Sequence, residues 1–319
     1  MGATIAGLRV LDAAAVRAAL TYEAAIPLVR QAMIALSNGR VRQELRSFIG
    51  LGPGRTFAIM PAALDEQAVF GAKLVSVFGD GQGRKAHEGL VVLFNGDDGA
   101  PVCLADAGEV TAIRTAAASA AATDALARPG ATRLSVLGAG RQARAHIDAI
   151  ARVRPLSSVT LWGRNFDRAA ALAATTTLET GVACVARADA RRAVEEADII
   201  CTTTAAVDPI LQGDWVAPGA HVNLVGSSGP GQAEADSVLV AKGRLVVDHR
   251  PHVLAHGGEF LRAKAAGLVD DDVIAAEIGQ VFANPALGRT GDDQITVYKS
   301  LGHAAQDLAC VAWLWGRAG

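Results

Sequence analysis

The feature that most constrains this 319-residue chain is a short apolar run, Leu134-Ser-Val-Leu137, that passes directly into Gly138-Ala-Gly140-Arg-Gln-Ala143. A strand that turns on GxGxxA into a helix leaves few folds open. Gly138 permits the tight turn, and Gly140 lets backbone come close to a pyrophosphate. Ala143 lets the helix pack on the strand. The first helical turn, with Arg141 and Gln142, supplies N–H donors and the positive end of the helix dipole. Strand signals recur at 159–162, 182–185, 199–202, 221–225 and 245–247, with helix signals at 142–152, 166–177 and 189–196. Such alternation predicts an α/β fold with a parallel, doubly wound sheet of the Rossmann kind. Thr202, Thr203 and Thr204 follow its fourth strand and are expected to line the nicotinamide side. Val225 and Gly226, at the end of the next strand, join the expected cofactor contacts.

Before this region the pattern differs. Residues 12–38 read as one helix ended by Asn38-Gly39, followed by strand-like runs at 57–60, 71–78, 90–94 and 101–105. Gly79-Asp80-Gly81 separates two of them, and Asn95-Gly96-Asp97-Asp98-Gly99 reads as a hairpin turn. An Ala-rich helix over 108–126 stops at Arg128-Pro129-Gly130. A final helix is expected over 295–315, packing back on the first region. The expected organisation is a discontinuous α+β domain, 1–118 plus 300–319, with the dinucleotide-binding domain, 119–299, inserted in it.

Composition narrows the function classes. Thirty basic and 32 acidic residues give a net charge of −2, with no long block of one sign. That argues against nucleic-acid or polybasic membrane partners. There is no apolar run of spanning length and no signal-peptide pattern in Met1–Val10. Cys103, Cys184, Cys201 and Cys310 stand far apart, without metal spacing, so reduced thiols in a cytoplasmic, metal-free protein are expected.

The second strand of a dinucleotide fold ends where the ribose is read. Here it ends Leu161-Trp-Gly163-Arg164-Asn165, with no carboxylate at that place. Arg164 offers a fork of donors to a 2′-phosphate, Arg168 follows one helical turn later, and Asp167 comes too late to replace the usual acid. NADP(H) is therefore expected, with NAD(H) as the alternative.

Three cations stand in apolar surroundings: Arg46, Lys73 within Val69–Val75, and Arg114 within an almost uncharged helix. A buried cation is costly unless paired. Internal pairing with a carboxylate is one reading. A pocket for a substrate carboxylate is the other, and three such cations beside a dinucleotide domain favour it.

Several stretches together carry a family likeness. They are Met60-Pro61-Ala62, Gly71-Ala-Lys73-Leu-Val-Ser76, His87-Glu88-Gly89 before a strand, Asp97-Asp98-Gly99-Ala-Pro101 and Arg114-Thr-Ala-Ala-Ala-Ser119. The second half adds Leu137-Gly-Ala-Gly140-Arg-Gln-Ala-Arg144-Ala-His146, Pro218-Gly219-Ala-His221-Val-Asn223, Gly226-Ser-Ser-Gly-Pro230-Gly and Ser300-Leu-Gly302-His-Ala-Ala-Gln-Asp307-Leu. In order and spacing the chain resembles the ornithine cyclodeaminase/mu-crystallin family over nearly its whole length. The resemblance implies a Rossmann domain inserted in a substrate and dimerisation domain, a homodimer, and NAD(P)H chemistry on amino or imino acids. It also implies that Arg46, Lys73 and Arg114 hold the substrate carboxylate.

One position departs from the cyclodeaminase pattern. Those enzymes carry an Asp two residues after the glycine matched by Gly226, where this chain has Ser228, as in ketimine reductases. An aspartate starts ionised near neutral pH, whereas a serine without a base partner cannot take up a proton. The reading that follows is an NADPH-dependent reductase of cyclic imino acids of the Δ1-pyrroline- or Δ1-piperideine-2-carboxylate type. Lys73 is its expected acid, Ser228 a hydrogen-bonding group and His87 a weaker candidate acid. The alternatives are ornithine cyclodeaminase itself and a non-catalytic dimer that binds NADP and a small carboxylate.

Overall fold

The computed structural model describes residues 7–78 and 87–317. The chain divides into two compact units, Met1–Arg114 with His303–Gly319, and Thr115–Gly302. The first division falls inside an Ala-rich helix, Ala107–Leu126, where 118/119 was expected, and the second replaces the expected 299/300.

The first unit carries a seven-stranded sheet: β1 (Arg9–Leu11), β2 (Val41–Gln43), β3 (Ser47–Gly50), β4 (Arg55–Leu64), β5 (Val69–Phe78), β6 (His87–Asn95) and β7 (Pro101–Asp106). The order is β1-β7-β6-β5-β4-β2, with β3 also on β4, and every pair is antiparallel except β1 with β7. The expected hairpin joins β6 to β7: Asn95 N donates to Ala100 O at 2.9 Å, and Gly99 takes φ +73°. The expected Gly79-Asp80-Gly81 turn lies outside the described residues. The helix expected over 12–38 is two helices, α1 (Ala13–Ala19) and α2 (Tyr22–Ser37). Leu20 leaves helical geometry at ψ 84°, and Thr21 is the extended N-cap of α2. The hydrophobic stripe runs across the break, because a stripe marks the buried face and not the continuity of the backbone.

Strand alternation defines the core. Ala58, Met60, Ala62 and Leu64 of β4, Val69 and Val75 of β5, Val91 and Leu93 of β6, and Cys103 and Ala105 of β7 are buried. The chain's last helix, Ala304–Gly316, lies against β4 to β7 and also packs on α2. Lys73 keeps step with Val69 and Val75 and is buried with them.

The Ala-rich helix Ala107–Leu126 is α3; it is buried continuously from Ala112 to Thr123. The second unit is an eight-stranded, all-parallel sheet. Its strands are β8 (Arg133–Leu137), β9 (Ser158–Trp162), β10 (Ala183–Arg187), β11 (Ile199–Thr202), β12 (His221–Leu224), β13 (Arg244–Val247), β14 (Ile274–Glu277) and β15 (Thr296–Lys299). The order β10-β9-β8-β11-β12-β15-β13-β14 reverses direction at β8/β11. That reversal is the switch point at which open α/β sheets bind ligands, so the expected doubly wound fold is present. The helices of this unit are α4 (Arg141–Ile150), α5 (Phe166–Thr180), α6 (Ala190–Val194), α7 (Ser237–Lys242), α8 (Arg250–His256), α9 (Gly258–Ala265) and α10 (Ile278–Ala283), and the chain ends with the helix over Ala304–Gly316, α11. Strands β11, β12 and β15 are buried at every position, as parallel strands covered on both faces are.

One expectation is corrected here. Residues 295–315 are not one helix, because Thr296–Lys299 is the strand β15, between β12 and β13. Ile-Thr-Val-Tyr is a β-branched and aromatic run that a sheet interior accepts readily. Gly302, at φ +78°, separates it from α11.

Candidate active site

In the first unit, three elements bring charge to one buried point. Lys73 comes from β5, Arg114 from α3 and Asp307 from the first turn of α11. Lys73 Nζ donates to Thr111 Oγ1 at 2.5 Å and lies 3.4 Å from Asp307 Oδ1. Arg114 Nε donates to the same Oδ1 at 3.0 Å, and its Nη1 to Gln306 Oε1 at 3.0 Å. Lys73 and Arg114 are each 5 % exposed, and Asp307 is fully buried. Gln306 is fixed in turn, since its side-chain nitrogen donates to Met33 Sδ at 3.3 Å. Gln43 bonds His303 Nδ1 at 2.7 Å and accepts from Ala305 N at 3.0 Å, which ties β2 to the start of α11.

Burial pushes the Lys73 ammonium down to about 8, Asp307 opposes that, and the charges of Arg114 and Arg46 add to the lowering. Arg46, half-buried just before β3, is therefore within electrostatic reach of Lys73. The structure joins Lys73 and Arg114 through Asp307, with Arg46 near enough for its charge to act on Lys73. Nε and Nη1 of Arg114 already have acceptors within the protein. Nη2 makes no hydrogen bond among the described residues. His87 opens β6 opposite Val77, and its side chain lies outside the described residues.

In the second unit, the β8–α4 turn has the shape a dinucleotide needs. Gly138 takes φ +143°, and a Cβ there would stand 2.3 Å from Thr203 Oγ1. A side chain at Gly140, the N-cap of α4, would meet nothing within 4 Å, so the space beside the helix start is open. Gln142 Oε1 is buried there without a hydrogen-bond partner among the described residues. Ala143 is fully buried against the sheet, while Arg141 is exposed. His146 braces the turn. Burial lowers its pKa to about 4, so the ring is neutral at physiological pH. Its Nδ1 donates to Gln142 O at 2.7 Å and its Nε2 accepts from Ser119 Oγ at 2.9 Å. These features fit a pyrophosphate at the start of α4.

At the end of β9, Arg164 and Arg168 are exposed and carry no ion pair among the described residues. Asn165 is already in use, its side chain accepting Arg168 N at 2.9 Å to cap α5. The strand ends beyond β11 and β12 are joined by Glu234, which accepts from Thr202 Oγ1, Thr204 N, Thr204 Oγ1 and Gly226 N at 2.5–2.7 Å. Two of the hydroxyls expected on the nicotinamide side, those of Thr202 and Thr204, are thus committed to a buried carboxylate, and the third, Thr203 Oγ1, donates to Leu137 O at 3.4 Å. Thr203 N donates to Leu137 O at 2.8 Å, and Val225 N to Thr202 O at 3.2 Å. A Cβ at Gly226 would lie 2.0 Å from Thr204 O, so only glycine lets the two strand ends approach this closely.

Ser228, half-buried, makes no side-chain hydrogen bond among the described residues. The carboxylates nearest in sequence are occupied. Glu234 serves the strand ends, and Asp236 caps α7 while accepting Gly213 N at 2.9 Å. Glu259 pairs with Lys299 at 2.8 Å and accepts from Ser227 Oγ at 2.5 Å.

Sequence reasoning left out Asp307, Thr111, Gln306 and Glu234 as working parts. Two buried cations at 73 and 114 required an acceptor, and Asp307 is the carboxylate on the apolar face of α11. That demand was the available signal. For Glu234 there was none, because its donors are backbone groups and hydroxyls brought together only by the sheet.

Comparison with known proteins places the whole chain among relatives. The model of the ornithine cyclodeaminase/mu-crystallin family matches residues 8–318. A Delta(1)-pyrroline-2-carboxylate reductase of Bacillus cereus is 35% identical over 266 residues, 82% of each chain. The ketimine reductase mu-crystallin of Mus musculus is 35% identical over 275 residues, 85% of this chain and 83% of that one. The structure of Thermococcus litoralis Delta(1)-pyrroline-2-carboxylate reductase, in complex with NADH and L-proline, superposes with a TM-score of 0.94 at 29% identity, covering 98% of this chain and 97% of that one.

Proposed function

This chain belongs to the ornithine cyclodeaminase/mu-crystallin family, and from that premise we propose that it reduces cyclic imino acids with NADPH. It is an oxidoreductase acting on C=N groups, and the similar reductases above support imino-acid reduction. The observation that carries the choice against cyclodeamination is the setting of Ser228, whose hydroxyl makes no hydrogen bond to a base among the described residues and whose neighbours in sequence Glu234 and Asp236, with Glu259, are occupied. Cyclodeamination must take a proton from an ammonium and expel ammonia. Imine reduction needs one proton and one hydride and releases nothing.

Arg46, Lys73 and Arg114 bind the carboxylate, with Arg114 Nη2 as the open donor. Lys73 protonates the substrate nitrogen as the C=N bond is reduced. The turn Gly138–Ala143 would hold the pyrophosphate, Arg164 with Arg168 the 2′-phosphate, and the strand ends at Thr202–Thr204 and Val225–Gly226 the nicotinamide. When bound, the reduced nicotinamide supplies the hydride taken up at the imine carbon.

The test is cofactor consumption against a panel of cyclic imines and L-ornithine. NADPH should disappear one for one with the imine, NADH should bind more weakly, and Arg164→Ala should narrow that gap. L-Ornithine with NAD+ should give no more than trace ammonia, and Ser228→Asp should raise it. Robust ammonia release by the unmutated protein would overturn the reductase reading, and equal binding of NADH would overturn the NADPH preference.

We also infer a homodimer built on the face of the first sheet opposite α11. Much of that face is apolar across neighbouring strands: Ile49 with Phe57, Ile59 with Leu74 and Leu90, Pro61 with Ala72 and Val92, and Phe70 with Phe94, while Ser47, Ser76, Glu88 and Asp106 stand at its margin. Ile49, Phe70 and Leu90 remain 52%, 40% and 47% exposed, a patch of the kind that marks an interface. Sedimentation at micromolar concentration should show two chains, and Leu90→Glu should show one. A single chain for the unmutated protein would rule the dimer out.

A further inference from the structure

Asp307 lies at the centre of the buried cationic cluster, and sequence reasoning gave it no role. Both cations contact a single one of its oxygens. Lys73 Nζ is 3.4 Å and Arg114 Nε 3.0 Å from Oδ1. The other oxygen, Oδ2, is buried without a hydrogen-bond partner among the described residues. A carboxylate present only to neutralise two cations would gain more by using both oxygens, since a buried acceptor left unsatisfied is costly. The backbone holds Asp307 in place, in the first turn of α11, beside the positive end of the helix dipole. Gln306 meets Arg114 from the preceding position, and Thr111 takes the Lys73 ammonium from α3.

Resting on the imine-reduction reading, we propose that Asp307 is the positioning residue of this site. It fixes Lys73 and Arg114 at one oxygen and keeps the Lys73 ammonium charged, so that it can donate to the substrate nitrogen. Burial and three charged groups set the charge state of Lys73. Burial between the sheet and α11, Arg114 of α3 and Arg46 before β3 all favour the neutral amine, and Asp307 is the one charge among them that favours the ammonium. The Thr111 hydroxyl accepts from the ammonium but carries no charge. Without it, a lysine beside two further cations would be largely neutral at pH 7 and would have no proton to give.

The experiment is a 13C NMR titration of the Lys73 side chain in substrate-free protein, run on the native chain and on Asp307→Asn. The native midpoint is expected near 8, in keeping with the lowered Lys73 value. In Asp307→Asn, which keeps the size and loses the charge, the midpoint should fall by a unit or more. The alkaline limb of kcat/KM for imine reduction should move the same way, while the melting temperature and NADPH binding report that the fold is intact. A midpoint unchanged in folded Asp307→Asn overturns the proposal, and so does a native midpoint below 7. Should Asp307→Asn fail to fold, the Asp307 carboxyl carbon of the native protein is followed through the same titration, and a carboxyl signal that does not respond as Lys73 loses its proton overturns the proposal. The titration needs no substrate, so a protein that failed to reduce imines would leave this result readable.

Discussion

Replacing Lys73 with Met is expected to lower kcat for imine reduction by about 10²–10⁴-fold, the range over which a positioned general acid acts. A protonated imine accepts hydride far more readily than a neutral one, and the proton must come from a group shielded from water. Lys73 is such a group, 5 % exposed, and its pKa is lowered to about 8 by burial and by two neighbouring cations. A donor works best when its pKa lies near the working pH, and 8 is much closer to neutrality than the ordinary lysine value. The direction of the pH dependence follows. The ammonium is the active form, so kcat/KM should hold below pH 8 and fall as pH rises through it. Lys73→Arg sharpens the test. Arginine keeps the charge, but with a pKa above 12 it does not give up its proton, so a variant that binds the carboxylate should still lose turnover. Near-native kcat in Lys73→Arg would leave Lys73 an anchor and remove it as the acid.

The two halves of the chain were legible to different degrees. The alternation from Leu134 to Val247 could be read because each parallel strand is a short apolar run and the helices α5, α6 and α7 each have their own side-chain cap, while α4 starts on the glycine turn. Asn165, Asp189 and Asp236 each accept from a backbone N–H three residues on. The pairing of β15 between β12 and β13 could not be read, because it brings Thr296 beside His221 and depends on which strands neighbour each other in space. Strands β1, β2 and β3 were missed because runs of three or four residues carry too few positions to show alternation. The site divides in the same way. Glycines at 138 and 140 announce themselves by type and spacing, as does a lysine inside a strand. What they work with does not. Asp307 lies 234 residues from Lys73, and Glu234 collects donors from Thr202, Thr204 and Gly226 that share no motif. Tertiary folding supplies the partners of a charged group, and sequence shows only that a partner is needed.

Arg114→Met is expected to raise KM for the imino acid by about 10- to 150-fold, the equivalent of roughly 1.5–3 kcal/mol for a charge-assisted hydrogen bond to a carboxylate. With Nε on Asp307 and Nη1 on Gln306, the guanidinium is held in one orientation before substrate arrives, so Nη2 meets the carboxylate with little further ordering. The substitution also acts on Lys73, in the opposite direction to Asp307→Asn. Arg114 is one of the cations that lower the Lys73 pKa, so its removal should move the alkaline limb of kcat/KM to higher pH. Two variants of one cluster therefore shift the same limb in opposite directions, one by removing a negative charge and the other a positive one. A general loss of packing would move both the same way or neither. An unchanged KM in folded Arg114→Met would take Arg114 out of the pocket. A limb that fails to rise would show instead that the charge of Arg114 is not felt at Lys73.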